Sequence, residues 1–280
     1  MTLLRKTYGK DHVRIMRIDR TTERHDVREL TVRAMLAGDF DAAFTDGDNA
    51  TSVATDTVKN VINIVARENI TLNTELFCTA VAQKLLDQYP SVDCVTVSGY
   101  ETKWSRLAID GEPHAHSFLL DGNGKPFARV VGTRGGTAVE SGVSGFTFMK
   151  STQSGWEHYI QDSYTTLPET NDRIAATSMD ATWHWNMAPE NYEIANARIL
   201  DAMLKLFATT YSKSLQDSLY RMGKAALVAI PELATITLAC PNKHYIPINL
   251  TPFGITSDNV VFTPTDEPHG QIECTVGCEK

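Results

Sequence analysis

The 280-residue chain contains no apolar run approaching the roughly 18 residues that a bilayer-spanning helix needs, and residues 1–10 lack the apolar stretch of a secretory leader. Neither a helical membrane protein nor an exported one is expected, and a cytoplasmic location follows. Cysteine is scarce. Cys78, Cys94, Cys240, Cys274 and Cys278 are odd in number and form no C-x-x-C pair, which argues against a disulfide framework or a zinc ribbon and suits a reducing compartment. Positive charge is also in deficit: with 26 Lys and Arg against 34 Asp and Glu, the net charge of -8 leaves no broad basic face for phosphate backbones. Nucleic acid is not an expected partner. What the chain does have is 42% hydrophobic content, enough for a substantial core in one large domain or two of ordinary size.

The apolar residues follow two periods. Leu30, Val32, Ala34 and Leu36 alternate with Thr31, Arg33 and Met35, as in a strand with one buried face. Val58, Val61, Ile62 and Val65 recur at helical spacing from a start near Thr55 and Asp56, two residues suited to capping. A second helix is predicted over 71–89, with Leu76, Phe77, Ala80, Val81 and Leu85 inward and Pro90 as the stop. Strands follow around Val95 and Val97, over 104–108 and over 116–120. The second half repeats the order. Alternation at Phe146, Phe148 and Lys150 and over 177–185 precedes helices over 195–207 and 215–230. Alternation then returns at Ile236, Leu238 and Cys240, at Ile246, Ile248 and Leu250, and at Ile272, Cys274 and Val276. Two units of hairpin, helix pair and hairpin, with mostly antiparallel strands, make an α+β protein with helices on one face of each sheet. Dense glycine over 132–145 places the boundary, giving units 1–137 and 138–280. Open sheet edges need cover or a partner strand, so a homo-oligomer is expected.

Four polar segments interrupt this pattern. Pro241-Asn242-Lys243-His244-Tyr245 reads as a turn between two strands, holding a carboxamide and an imidazole able to grip a small molecule and pass a proton. Tyr8-Gly9-Lys10, the run 54–60, and Tyr164-Thr165-Thr166-Leu167 continuing to Thr170, Asp172 and Arg173 are as particular. The planar fork of Arg173 suits a flat anionic heterocycle that presents a carbonyl beside a ring nitrogen. Gln216, in a helix beginning near Ser214, can donate to one carbonyl and accept from an adjacent ring N–H. At the helix start, the backbone N–H groups of Thr55 and Asp56 are free for a negatively charged atom, with Lys10 as companion.

In this order, over residues 8–277, these segments resemble the urate oxidase (uricase) family. The resemblance implies two tunnelling-fold (T-fold) units per chain, a homotetramer around a tunnel, and active sites at subunit interfaces. It implies oxidation of urate by dioxygen to 5-hydroxyisourate and hydrogen peroxide. Under it, Lys10 and Thr55 of a neighbouring subunit form a proton-removing pair, with Asp56 beside them. Arg173 and Gln216, helped by the main chain at Leu215, hold the pyrimidine side of the substrate. Asn242 holds dioxygen and later a water above the ring, and His244 joins the proton relay of the lysine. Trp156 stands where the family generally has a stacking phenylalanine, and its larger face can narrow the pocket or tilt the ring. Neither cofactor nor metal is implied: deprotonated urate is electron-rich enough to reduce dioxygen once oriented and shielded. The chain ends Gly277-Cys278-Glu279-Lys280 instead of the Ser-Lys-Leu address common in fungal and animal members, which points to a bacterial cytoplasm.

Two features stand apart. Pro247 removes a ladder donor from its strand, suggesting an edge or a bulge. His114 and His116 form an H-x-H pair whose imidazoles share a strand face and can bind metal. They keep open a metal-dependent T-fold enzyme acting on a pterin or other purine-like ring. A catalytically silent assembly that binds a purine or a protein partner is a third reading.

Overall fold

Alternating apolar residues in the first half become the pleat of an antiparallel sheet. The computed structural model describes residues 2–277, so Cys278 and the two residues after it lie outside it. Tyr8–Asp19 (β1) pairs with Asp26–Gly38 (β2), whose Leu30, Val32, Ala34 and Leu36 are fully shielded from solvent. After the short Asp41–Thr45 (α1), the helices Thr55–Glu68 (α2) and Thr74–Gln88 (α3) cover that face. Val92–Ile109 (β3), Glu112–Asp121 (β4), Lys125–Thr133 (β5) and the start of Gly136–Lys150 (β6) complete the unit in the order β1-β2-β3-β5-β6, with β4 paired to β3. Val58, Ile62 and Val65 of α2 and Phe77, Val81 and Leu85 of α3 share one core with β2 and β3. Burying each such side chain contributes about 1.5–3 kcal/mol.

The helices depart from expectation in their polar details. α3 begins at Thr74 instead of residue 71 because Asn73 caps it, accepting the Leu76 N–H at 2.9 Å. Leu76, expected inward, is 41% exposed, and Thr74 and Glu75 take inner places instead. Ser141 Oγ donates to Glu75 Oε1 at 2.6 Å, and the Thr74 hydroxyl donates to Glu101. This polar pairing sets the rotation of the helix, because a buried carboxylate must be satisfied. α2 starts at Thr55, but neither Thr55 nor Asp56 caps it: the N-cap is Ala54, and no side chain accepts from the first turn.

Contacts divide the chain into two compact units, Met1–Gly142 and Val143–Lys280, and the chain passes from one to the other within β6. In the second unit the end of β6 neighbours Ala175–Trp185 (β7), followed by Tyr192–Thr209 (α4), Leu215–Ala229 (α5), Leu233–Pro247 (β8) and Phe262–Gly277 (β9). β8 pairs antiparallel with both β7 and β9. Trp183, Ile199, Met203, Leu219 and Ile236 centre its core, and the Trp183 indole N–H donates to Asn196 Oδ1 at 2.9 Å. Among the described residues no helix is long and apolar enough to cross a membrane.

The segment 241–245 is not a turn. It lies inside β8, with Asn242 opposite Thr177 of β7 and Gly270 of β9, and the pairing with β9 shifts register between Asn242 and His244. Pairing on both flanks overrides the turn propensity of Pro, Asn and Lys. Pro247 is the last residue of the strand, and Ile248 and Leu250 lie beyond it in no strand.

Candidate active site

Gly9 lets β1 approach β2 closely. A Cβ there would overlap the Ala34 carbonyl oxygen and come within 2.8 Å of Met35 Cα, so no larger residue fits. Gly9→Ala is expected to cost about 2–3 kcal/mol in urea-induced unfolding; an unchanged midpoint would mean the strands have slack. Lys10, next along β1, is half-buried, its side chain makes no hydrogen bond or ion pair among the described residues, and the pairing shifts register directly after it. Its charge reaches the start of α2. The Asp56 carboxyl is held below the usual carboxylate range, first by its hydrogen bond from Lys59 and that residue's charge, then by Asn60 and by the charge of Lys10. Thr55 and Asp56 are exposed at an uncapped helix start, where N–H groups and the positive end of the helix dipole favour an anion. Within the first unit Lys10 thus stands near enough to the start of α2 for Asp56, the residue after Thr55, to feel its charge.

The other expected residues belong to the second unit. Backbone bonds join three segments there: Gly155 N to Ser212 O at 2.9 Å, Trp156 N to Thr170 O at 2.7 Å, and Arg173 N to Ser154 O at 2.9 Å. They bring Trp156 and Arg173 to the beginning of α5, where Ser214 caps by accepting the Asp217 N–H at 3.0 Å. Gly155 is essential to this meeting, since a Cβ would strike the Tyr211 hydroxyl and sit 3.0 Å from Thr170 O. Leu215 is buried, while Gln216 is exposed and makes no side-chain hydrogen bond among the described residues. Arg173 is half-buried, its Nε is shielded from solvent without a partner, and its guanidinium makes no ion pair among the described residues. Burial pushes its pKa down, opposed by Tyr211. Asn242 and His244 are half-buried on β8, the former opposite Thr177, four residues beyond Arg173 in sequence.

Two contributors escaped sequence reasoning. The Trp156 indole stacks on Tyr159 with ring centroids 5.4 Å apart and planes 14° from parallel, so one of its faces is already backed. In the first unit the Tyr8 hydroxyl accepts the Val53 N–H at 2.7 Å, just ahead of Thr55. Tyr8 was visible within Tyr8-Gly9-Lys10, but nothing local in sequence signals its partner 45 residues away.

His114 and His116 do meet, with ring centroids 4.6 Å apart, and His25 lies 5.9 Å from His116. The His116 backbone N–H donates to His114 Nδ1 at 3.3 Å, occupying one of the nitrogens a metal would need. Among the described residues, no three His, Cys, Asp or Glu side chains are placed to share a metal ion.

Two units of antiparallel strands, each carrying a helix pair, one offering an amine and an open helix start and the other a guanidinium without an ion-pair partner among the described residues, beside an indole and an amide, define a tandem T-fold protein. The Uricase family model matches residues 6–131 and 139–273. Uricase from Arthrobacter globiformis is 36% identical over 269 residues, 96% of this chain and 87% of that protein. Uricase from Aspergillus flavus is 36% identical over 286 residues, 96% and 95% of the two chains. The crystal structure of the Arthrobacter globiformis uricase superposes with a TM-score of 0.94, covering 100% of this chain and 96% of that one. Urate oxidase from Bacillus sp. TB-90, at 24% identity, shares the fold with a TM-score of 0.85 over 98% of this chain and 100% of its own. The chain belongs to the uricase family.

Proposed function

We propose that this chain oxidises urate with dioxygen to 5-hydroxyisourate and hydrogen peroxide, without a cofactor, at sites where the first unit of one copy meets the second unit of another in a homotetramer. The observation that carries the reading is Arg173: a guanidinium partly withdrawn from water, with a buried Nε that has no hydrogen-bond partner among the described residues, suits an anion with two acceptors side by side. Urate offers that edge. Gln216 is exposed and unengaged at the same helix start, able to pair a carbonyl and a ring N–H, while the Trp156 indole offers an aromatic face to a purine ring.

Two electrons and two protons leave the purine for dioxygen, giving hydrogen peroxide, and water then adds to the oxidised ring at C5. On this reading Lys10 and Thr55 remove the ring proton, Asp56 lies beside them, and His244 passes protons onward with Lys10. Asn242 orients dioxygen and afterwards the water. A reducing cytoplasm suits the free thiols of Cys78, Cys94, Cys240 and Cys274, the first of them raised in pKa by burial and so unreactive.

The test is oxygen uptake by the purified chain after exhaustive chelation. One dioxygen consumed and one peroxide formed per urate is the expected stoichiometry, with the mass in light scattering four times that of the chain. Uptake that vanishes on chelation and returns with zinc or iron would favour the metal-dependent reading through His114 and His116. Urate binding without uptake would favour a silent assembly.

A further inference from the structure

The segment leading into Thr55 is a strap that packing alone does not hold. Ser52, Val53 and Ala54 line two separate cavities, one of about 430 Å³ shared with Tyr8, Phe44 and Thr55, the other of about 680 Å³ shared with Asp39, Tyr89 and Ser91. Val53 is buried in the core of the first unit, but its neighbours Ser52 and Ala54 border open space, so the backbone of the strap takes its position from that one side chain and a few hydrogen bonds. Ser91 Oγ donates to Thr51 O and Thr51 Oγ1 to Asp39 O, each at 2.7 Å, and Ser52 N donates to Asn49 O at 3.0 Å. Nearest Thr55 is the 2.7 Å bond from Val53 N to the Tyr8 hydroxyl. Its acceptor is rigid, for the Tyr8 ring is set edge-on to the fully buried Phe40 with centroids 4.9 Å apart. Tyr8 is also two residues before Lys10 on β1, and Gly9 between them is pressed against Ala34 so that the strand cannot move aside.

We infer that Tyr8 is a positioning residue: its hydroxyl fixes the strap, and through Val53 places Thr55 relative to Lys10. One hydrogen bond thus couples the strand that carries the amine to the helix start that carries the hydroxyl. The hydroxyl is engaged with the backbone and touches no reacting atom. This inference rests on the reading of Lys10 and Thr55 as a proton-removing pair, whereas the tether itself does not.

Tyr8→Phe in the full chain keeps the ring on Phe40 and deletes the acceptor. Without substrate, amide hydrogen exchange at Val53 and at Val58, whose N–H donates to Ala54 O at 3.2 Å, should quicken about tenfold, the worth of one hydrogen bond, with the later turns of α2 unchanged. With urate, kcat should fall about tenfold with little change in KM, and the limb of the kcat/KM pH profile that reports the pair should move. Faster exchange with unchanged kcat and pH profile overturns the positioning role. Unchanged exchange at Val53 overturns the tether whatever the activity. If the unaltered chain consumes no oxygen with urate, the proposed function fails and with it the role of the pair, while exchange alone still decides the tether. Should Tyr8→Phe not fold, Ser91→Ala removes the opposite tether: quickened exchange over 51–55 with lowered kcat supports a strap that places Thr55, and quickened exchange with full activity overturns it.

Discussion

Arg173→Met is expected to remove nearly all activity and none of the stability. The guanidinium is partly buried, its Nε is shielded without a partner, and burial disfavours its charged form. Such a cation subtracts from the stability of the fold at every pH where it carries charge. Methionine has similar length and no charge to desolvate, so Tm should stay the same or rise by a few degrees. Activity should move the other way. Two charge-assisted hydrogen bonds to the substrate edge are worth roughly 1.5–3 kcal/mol each, so kcat/KM for urate should fall by about a hundredfold to ten-thousandfold. Calorimetry and oxygen-electrode kinetics on the same preparation check both signs. A Tm lowered by several degrees would falsify the reading, because it would mean that Arg173 holds the fold together. Arg173→Lys should recover little, since one ammonium cannot reproduce the fork.

The contrast between stability and activity also explains which parts of this protein were legible in its sequence. β2 was plain because Leu30, Val32, Ala34 and Leu36 all face a single core, and α2 because Val58, Ile62 and Val65 do the same. Where polar groups decide the packing, periodicity misleads. Leu76 reads as an inward residue, yet Thr74 and Glu75 occupy the inner face through bonds to Glu101 and Ser141, both distant in sequence. Pro241 to Tyr245 has the composition of a turn, yet lies in a strand flanked by β7 and β9, and no local signal announces two partners. The site shows the same division. Residue types suited to binding, such as Arg173 and Gln216, could be singled out from their chemistry. The backbone bonds through Ser154, Thr170 and Ser212 that bring Trp156 and Arg173 to α5 join separate segments, and only the folded chain reveals them. His25 beside His114 and His116 was invisible for the same reason.

Lys10→Met tests the other half of the proposed site, and its effect should fall on kcat instead of on binding. The Lys10 side chain makes no hydrogen bond or ion pair among the described residues, and the Asp56 carboxyl that feels its charge has Lys59 as its own partner. Little stability therefore depends on the Lys10 amine, and methionine preserves most of the alkyl stem. Removing the amine deletes the acceptor for the ring proton. General-base catalysis of this kind is worth about a hundredfold to ten-thousandfold, and the loss should appear in single-turnover rates as well as in kcat. Urate affinity, measured anaerobically so that no oxidation intervenes, should change by less than about threefold because Arg173 and Gln216 remain. Asp56 should respond in a defined direction. Its carboxyl loses one of the charges that hold its pKa down, so that pKa rises toward the ordinary range, although Lys59 keeps most of the depression. Unchanged turnover in Lys10→Met would assign proton removal elsewhere, and His244 would be the next residue to replace. A large loss of urate affinity with kcat intact would instead make Lys10 a binding charge, with no part in moving the proton.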